Sequence, residues 1–227
     1  MRTLIHHNKR LFVLLFALGA ASAACALLLW HRMQTMSSTS YLWLIKPNLA
    51  LAWIPLLAAT AIRLIWTVRR RLTWTMPPLG CLWLLFLPNA PYMVTDLAHL
   101  AVIKEGMPLY FDPLLNAFAA FTALIAGFVS LSLLQDVVRT LTRPVLGWLF
   151  SLVVLLLSSI GVYLGRFLRW NSWDPLSHPG AILRDSLQAL AEPAAVSFIG
   201  VFMLFVTCSY WVFACCFHMS RPDPASR

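Results

Sequence analysis

The sequence predicts an all-α, polytopic membrane protein with six transmembrane helices, both termini in the cytoplasm and one amphipathic helix at the membrane interface. Three observations carry that prediction. The first is composition: 60% of the 227 residues are apolar and 11% are charged, whereas a soluble protein usually carries about 25% charged residues. Mean hydropathy is +0.78. So few charges cannot cover a surface in water, which excludes a soluble domain and a disordered chain. The second is that the apolar residues gather in six runs of about 20, the length that crosses a bilayer core about 30 Å thick. Runs of that length also exclude a β-barrel, whose strands alternate in segments of about ten residues. The third is an uneven division of basic residues between alternate loops.

The first run, 11–30, follows Arg2, Lys9 and Arg10. Ala21-Ser22-Ala23 resembles a signal-cleavage site, but the 20-residue apolar stretch exceeds the roughly 7 to 15 of a signal core. The run therefore reads as a retained first helix. The second, 41–66, holds Arg63 near its inner end. The third, 74–94, runs into Pro88 and Pro91. The fourth, 114–134, follows Asp112-Pro113, which reads as an N-cap with proline at the first helical position. The fifth, 145–165, contains Gly161 and Gly165 with Ser158 one turn earlier, a face suited to close helix packing. The sixth covers 194–217. Between the last two lies 180–192, with Ile182, Leu183, Leu187 and Leu190 on one side and Arg184, Asp185 and Gln188 elsewhere. That is an amphipathic helix lying in the interface, closed by Pro193. With no internal repeat and no linker, residues 1–227 read as a single six-span domain.

Orientation follows from lysine and arginine. Ten lie on one side: Arg2, Lys9 and Arg10, then Arg69 to Arg71, Arg139 and Arg143, Arg221 and Arg227. Six lie on the other: Arg32, Lys46, Lys104, Arg166, Arg169 and Arg184, balanced there by six acids. The first side is cytoplasmic, so the expected location is the cytoplasmic (inner) membrane, multi-pass. The net charge of +9 is then a topology signal, and no nucleic-acid partner is expected. The five cysteines all lie within apolar runs, as packing residues and not as a disulfide framework or zinc site.

The unusual residues cluster in the two long extracytoplasmic loops, 95–113 and 166–193. At the end of the third run, Pro88 and Pro91 remove two backbone donors and block two carbonyls. In a membrane those groups need partners, and the Asn89 side chain is one. The segment reads as a broken helix end lining a polar cavity, against the simpler reading of a helix that stops at the interface. Asp96 and His99 follow. After the fifth run come Arg166 and Arg169, placed on one helix face by their i, i+3 spacing, then Trp170, Asn171, Trp173 and Asp174. Snorkelling to headgroups accounts for one such arginine. Pairing with Asp96, with Asp174 or with an anionic ligand accounts better for two. Asp96 is expected within direct or one-water reach of Arg166 or Arg169. Trp170 and Trp173 read as interfacial belt residues, and Asp174-Pro175 as a second N-cap.

Leu87 to Leu100 (LPNAPYMVTDLAHL) and Gly161 to Pro175 (GVYLGRFLRWNSWDP) resemble the two signature segments of a prokaryotic integral membrane-protein family catalogued as domain of unknown function 1361. The resemblance covers roughly the last two thirds of the chain. It implies a multi-helix integral membrane protein and brings with it no reaction, substrate or catalytic residue.

The residues themselves suggest an extracytoplasmic polar pocket that binds or processes an anionic or lipid-linked substrate. In an enzyme Asp96 would be the base and His99 the proton carrier, with Arg166, Arg169, Asn89 and Asn171 holding the anion. Pro88, Pro91, Tyr92 and Asp174 would shape the pocket. Asp96/His99 and Asp174/His178 also have spacings that could present metal ligands on a helix face, but caps and loop residues explain them more simply. No metal or cofactor is expected. The alternatives are a non-catalytic membrane partner or assembly subunit, and a small-solute transporter, the latter disfavoured by the scarcity of mid-membrane polar residues. The partners expected are the lipid bilayer and the anionic or lipid-linked ligand.

Overall fold

Helix after helix follows from the apolar runs. The computed structural model describes residues 2–35, 45–97 and 110–219, and among these there is no strand. The helices are α1 (Arg2–Thr35), α2 (Ile45–Arg69), α3 (Met76–Phe86), α4 (Asn89–Thr95), α5 (Phe111–Leu141), α6 (Pro144–Phe167), α7 (Asp174–Ser177), α8 (Pro179–Ala191) and α9 (Pro193–Met219). Five of them, α1, α2, α5, α6 and α9, are long and apolar enough to cross a membrane. The protein is a multi-pass membrane protein.

The third apolar run does not form one rod. It is split into α3 and α4 at Leu87 and Pro88. Pro88 has no N–H for the Leu84 carbonyl, and Pro91 none for that of Leu87. The Leu87 carbonyl instead accepts from Ala90 N–H at 3.1 Å. That shorter bond tightens the turn, and regular helical bonding resumes with Tyr92 N–H on the Pro88 carbonyl at 3.0 Å.

α5 is the axis of the bundle and packs against α1, α2, α4, α6 and α9. It is buried along most of its length, as expected of a helix that is apolar all round. Ala119, Ala120, Ala123, Ala126 and Gly127 keep its surface small, so neighbouring backbones come close. A Cβ on Gly127 would lie 2.7 Å from the Ala90 Cβ of α4. Cys25, Leu29, Leu49, Ala52, Ala90 and Met93 pack with the first turns of α5. The remainder of α5 is enclosed in the main core, with Leu56, Val129, Val206 and Tyr210 fully buried. There Tyr210 donates to the Gln135 Oε1 at 2.7 Å.

α1 is integral to this packing. Ser22, in the middle of the Ala-Ser-Ala stretch, accepts from the Trp53 indole N–H of α2 at 3.0 Å.

α8 packs on α9 and α6, but not by the side drawn from the sequence. Ile182 and Ala189 turn inward against Tyr163, Leu164 and Ala195. Leu183, Leu187 and Leu190, which follow each other at helical spacing, are exposed. The apolar surface of α8 is therefore divided between the bundle and its surroundings.

Candidate binding cleft

Four helix ends meet at one end of the bundle, and their polar side chains pair across it. α6 delivers Arg166 and α4 leads into Asp96. The Arg166 Nη1 lies 2.9 Å from the Asp96 Oδ1, and its Nη2 donates to the Thr95 carbonyl at 2.9 Å. The guanidinium also sits 5.7 Å from the centre of the Tyr92 ring, a cation–π distance. The second carboxylate oxygen of Asp96 accepts from the Asn48 amide of α2 at 3.3 Å. Its backbone carbonyl accepts from Asn116 of α5 at 3.1 Å. Only 5% of Asp96 is exposed. The arginine partner expected from the sequence is thus Arg166.

A second ion pair lies beside it that the sequence reading did not anticipate. Arg32, near the end of α1, grips Asp112 in a two-pronged contact, Nε to Oδ1 at 2.8 Å and Nη2 to Oδ2 at 2.9 Å. Their side chains are 2% and 3% exposed. Asp112 therefore does not cap α5. It is the second residue of the helix, with Tyr110 at the cap position and no side-chain cap bond. One turn further on the same face stands Asn116, so the start of α5 ties the two ion pairs together.

Between α2, the α3–α4 break and the end of α6 lies an open cleft of about 730 Å³. Its walls come from both sequence motifs: Pro88, Asn89 and Tyr92 from the first, Arg166, Arg169 and Asn171 from the second. Glycine brings them together. A Cβ at Gly161 would come within 2.8 Å of the Pro88 Cγ, and one at Gly165 within 3.5 Å of the Tyr92 ring. The small-residue face of α6 is thus filled by the broken helix. Asn89 closes the break, donating to the Phe86 carbonyl at 2.9 Å. The same amide donates to the Ser172 hydroxyl at 2.7 Å, linking the motifs directly.

Arg169 does not share a helix face with Arg166. α6 ends at Phe167, and Arg169 has φ 59°, in the left-handed region that side chains rarely adopt. Trp170 N–H reaches back to the Leu164 carbonyl at 3.2 Å, and its indole N–H bonds Asp185 of α8 at 2.9 Å. Trp170 is therefore a strut between the loop and α8, whereas Trp173 is exposed. Asp174 is the first residue of α7 and does not cap it. Its carboxylate turns back to accept from Asn171 N–H at 2.6 Å and from the Asn171 amide at 3.1 Å. Arg169, exposed on the cleft wall, has no ion-pair partner among the described residues.

Asp96 was a candidate general base, but its carboxylate faces Arg166 and Asn48 and does not line the cleft. In this arrangement it is a counter-ion that holds Arg166. His99 lies outside the described residues. His178 is exposed, its Nδ1 3.1 Å from the Ser177 hydroxyl, while the Asp174 carboxylate is taken up by Asn171. Among the described residues no three His, Cys, Asp or Glu side chains gather as a metal site.

A family described as protein of unknown function (DUF1361) matches residues 47–209. The chain belongs to this family. No curated protein and no solved structure matches it. The matched segment runs from α2 into α9 and contains both motifs, the Asp96–Arg166 pair and the whole cleft. α1, with Arg32, lies before it.

Proposed function

We propose that this chain is a six-span protein of the cytoplasmic membrane, termini inside, that holds an anionic group, free or lipid-linked, in a cleft open to the extracytoplasmic side. One observation carries the reading: two arginines three residues apart are treated differently. Arg166 is neutralised by Asp96. Arg169 is kept without an acidic partner among the described residues, in a backbone conformation that costs on the order of 1–3 kcal/mol, held there by the Trp170 contacts. Strain that positions an unneutralised guanidinium on a cleft wall suits capture of a phosphate or carboxylate. Asn89 and Asn171 complete the polar lining. α3 and α4 together form the third crossing, and the outward leucines of α8 rest in the interface.

The internal pairing of Asp96 favours binding over catalysis. A membrane partner or assembly subunit that presents a bound anion is therefore the second reading. The polar lining gathers at one end of the bundle, which supports binding at a surface rather than passage through it. The test is titration of the purified full chain in neutral detergent with glycerol 3-phosphate, read as a rise in unfolding temperature. The wild type should respond, and Arg169→Ala should need about tenfold more ligand, the loss of one charge-assisted contact. Equal responses from the two proteins, or none from the wild type, would refute the reading.

A further inference from the structure

The cleft is not evenly polar, and its polarity follows depth. Arg169, Asn171 and Ser172 lie beyond the end of α6, while Leu157 is on α6 nine residues before Arg166. At 1.5 Å per residue that is about 13 Å toward the middle of the bundle. Leu84 and Leu85 of α3, one turn before Pro88, line the same deeper part, and Leu51 of α2 lies one turn in from Asn48. Leu84 and Leu157 are themselves 37% and 45% exposed. In a spanning bundle that exposure faces acyl chains and not water, so the deep limb opens sideways into the bilayer. Leu51 and Leu84 also carry carbonyls whose helical donors are missing, because Pro55 and Pro88 stand four residues on.

We infer that the cleft takes an anionic membrane lipid laterally from the bilayer, its phosphate or carboxylate on Arg169 and one acyl or prenyl chain along the seam between α3 and α6. The inference rests on the anion reading above and adds to it the hydrophobic half of the ligand and its route of entry. Two features of the site argue for a lipid over a soluble anion. The apolar limb is continuous with the cationic mouth, and a small anion would leave it empty. The opening at Leu84 and Leu157 lies on the flank of the bundle, where only a membrane-embedded ligand can enter.

The test is lipid retention by the full chain, reconstituted in phosphatidylcholine nanodiscs doped with phosphatidylglycerol and read by native mass spectrometry. Glycerol 3-phosphate is the soluble competitor. The wild type should hold phosphatidylglycerol at least about tenfold more tightly than glycerol 3-phosphate, a difference of about 1.4 kcal/mol. Leu157→Trp or Leu84→Trp, at positions that face outward and so tolerate bulk, should erase that advantage while leaving the glycerol 3-phosphate response intact. Arg169→Ala should remove the preference for phosphatidylglycerol over phosphatidylcholine. An advantage that survives both tryptophan variants, or no advantage in the wild type, overturns the lipid inference and leaves the anion reading standing. Loss of the glycerol 3-phosphate response in the wild type itself would overturn the anion reading instead.

Discussion

Asp96, Asp112 and Arg169 show three fates of a charge near a membrane. Asp112 is sealed against Arg32 by two hydrogen bonds. Removing one partner of such a pair strands the other in a medium that solvates it poorly, at a cost of about 3–5 kcal/mol. Asp112→Asn should therefore destabilise the fold by about 3 kcal/mol. Asp96→Asn should cost somewhat less, because Arg166 keeps the Thr95 carbonyl and its side chain is 15% exposed. An Asp96→Arg, Arg166→Asp double variant should recover part of the loss. Arg169 holds nothing together in this sense. Arg169→Gly relieves a left-handed residue and should leave stability unchanged or raise it by up to about 1 kcal/mol, while the response to anions weakens about tenfold, as for Arg169→Ala. Thermal unfolding in one detergent ranks the three. An Arg169→Gly protein as unstable as Asp112→Asn would mean that Arg169 is structural.

At the scale of elements, the contact that shapes the cleft is the fit of the Pro88 ring against Gly161. A proline ring cannot swing aside as a flexible side chain does, so Gly161→Ala must push α6 away from the α3–α4 break. The expected cost is about 1–3 kcal/mol, as for other overpacked sites. Adding Pro88→Ala should restore part of it, since the two sites share one contact. Gly200→Ala, where an added Cβ meets nothing within 4 Å, is the control and should be tolerated. Unfolding temperatures of the four proteins check the coupling, and strict additivity would refute it. The break itself was legible in the sequence, because two prolines three apart remove donors wherever they stand. The end of α6 was not. Nothing in Phe167-Leu168-Arg169 resembles the glycine that usually marks a left-handed helix end, so Arg169 was read onto the helix face of Arg166.

At the scale of the whole molecule, charge placement and folding order come together. The Asp96–Arg166 pair was legible because a buried carboxylate needs a cation and the next span supplies one at the same depth. The Arg32–Asp112 pair was hidden by a local signal, the Asp-Pro dipeptide that imitates a cap. The sign that was available is the balance of six acids and six bases on one side of the predicted topology. Both pairs lie at the same end of the bundle, tied together by the start of α5. Reporter fusions at Arg221 and near Arg70 should read cytoplasmic, and those near Glu105 and Asp185 extracytoplasmic. A cytoplasmic signal near Glu105 would place the cleft on the opposite face.

The two halves of the Arg32–Asp112 contact are 80 residues apart in the chain. Synthesis at roughly 5–20 residues per second puts about 4–16 s between the appearance of the arginine and that of its carboxylate. During that interval the cation near the end of α1 has no carboxylate to meet, and its head must stay among lipid headgroups and water. Arrival of α5 ends the wait and draws Arg32 inward. The ion pair of α1 thus forms only once α5 has been made, and a ribosome that stalls after α4 leaves behind a chain in which Arg32 has not met its carboxylate.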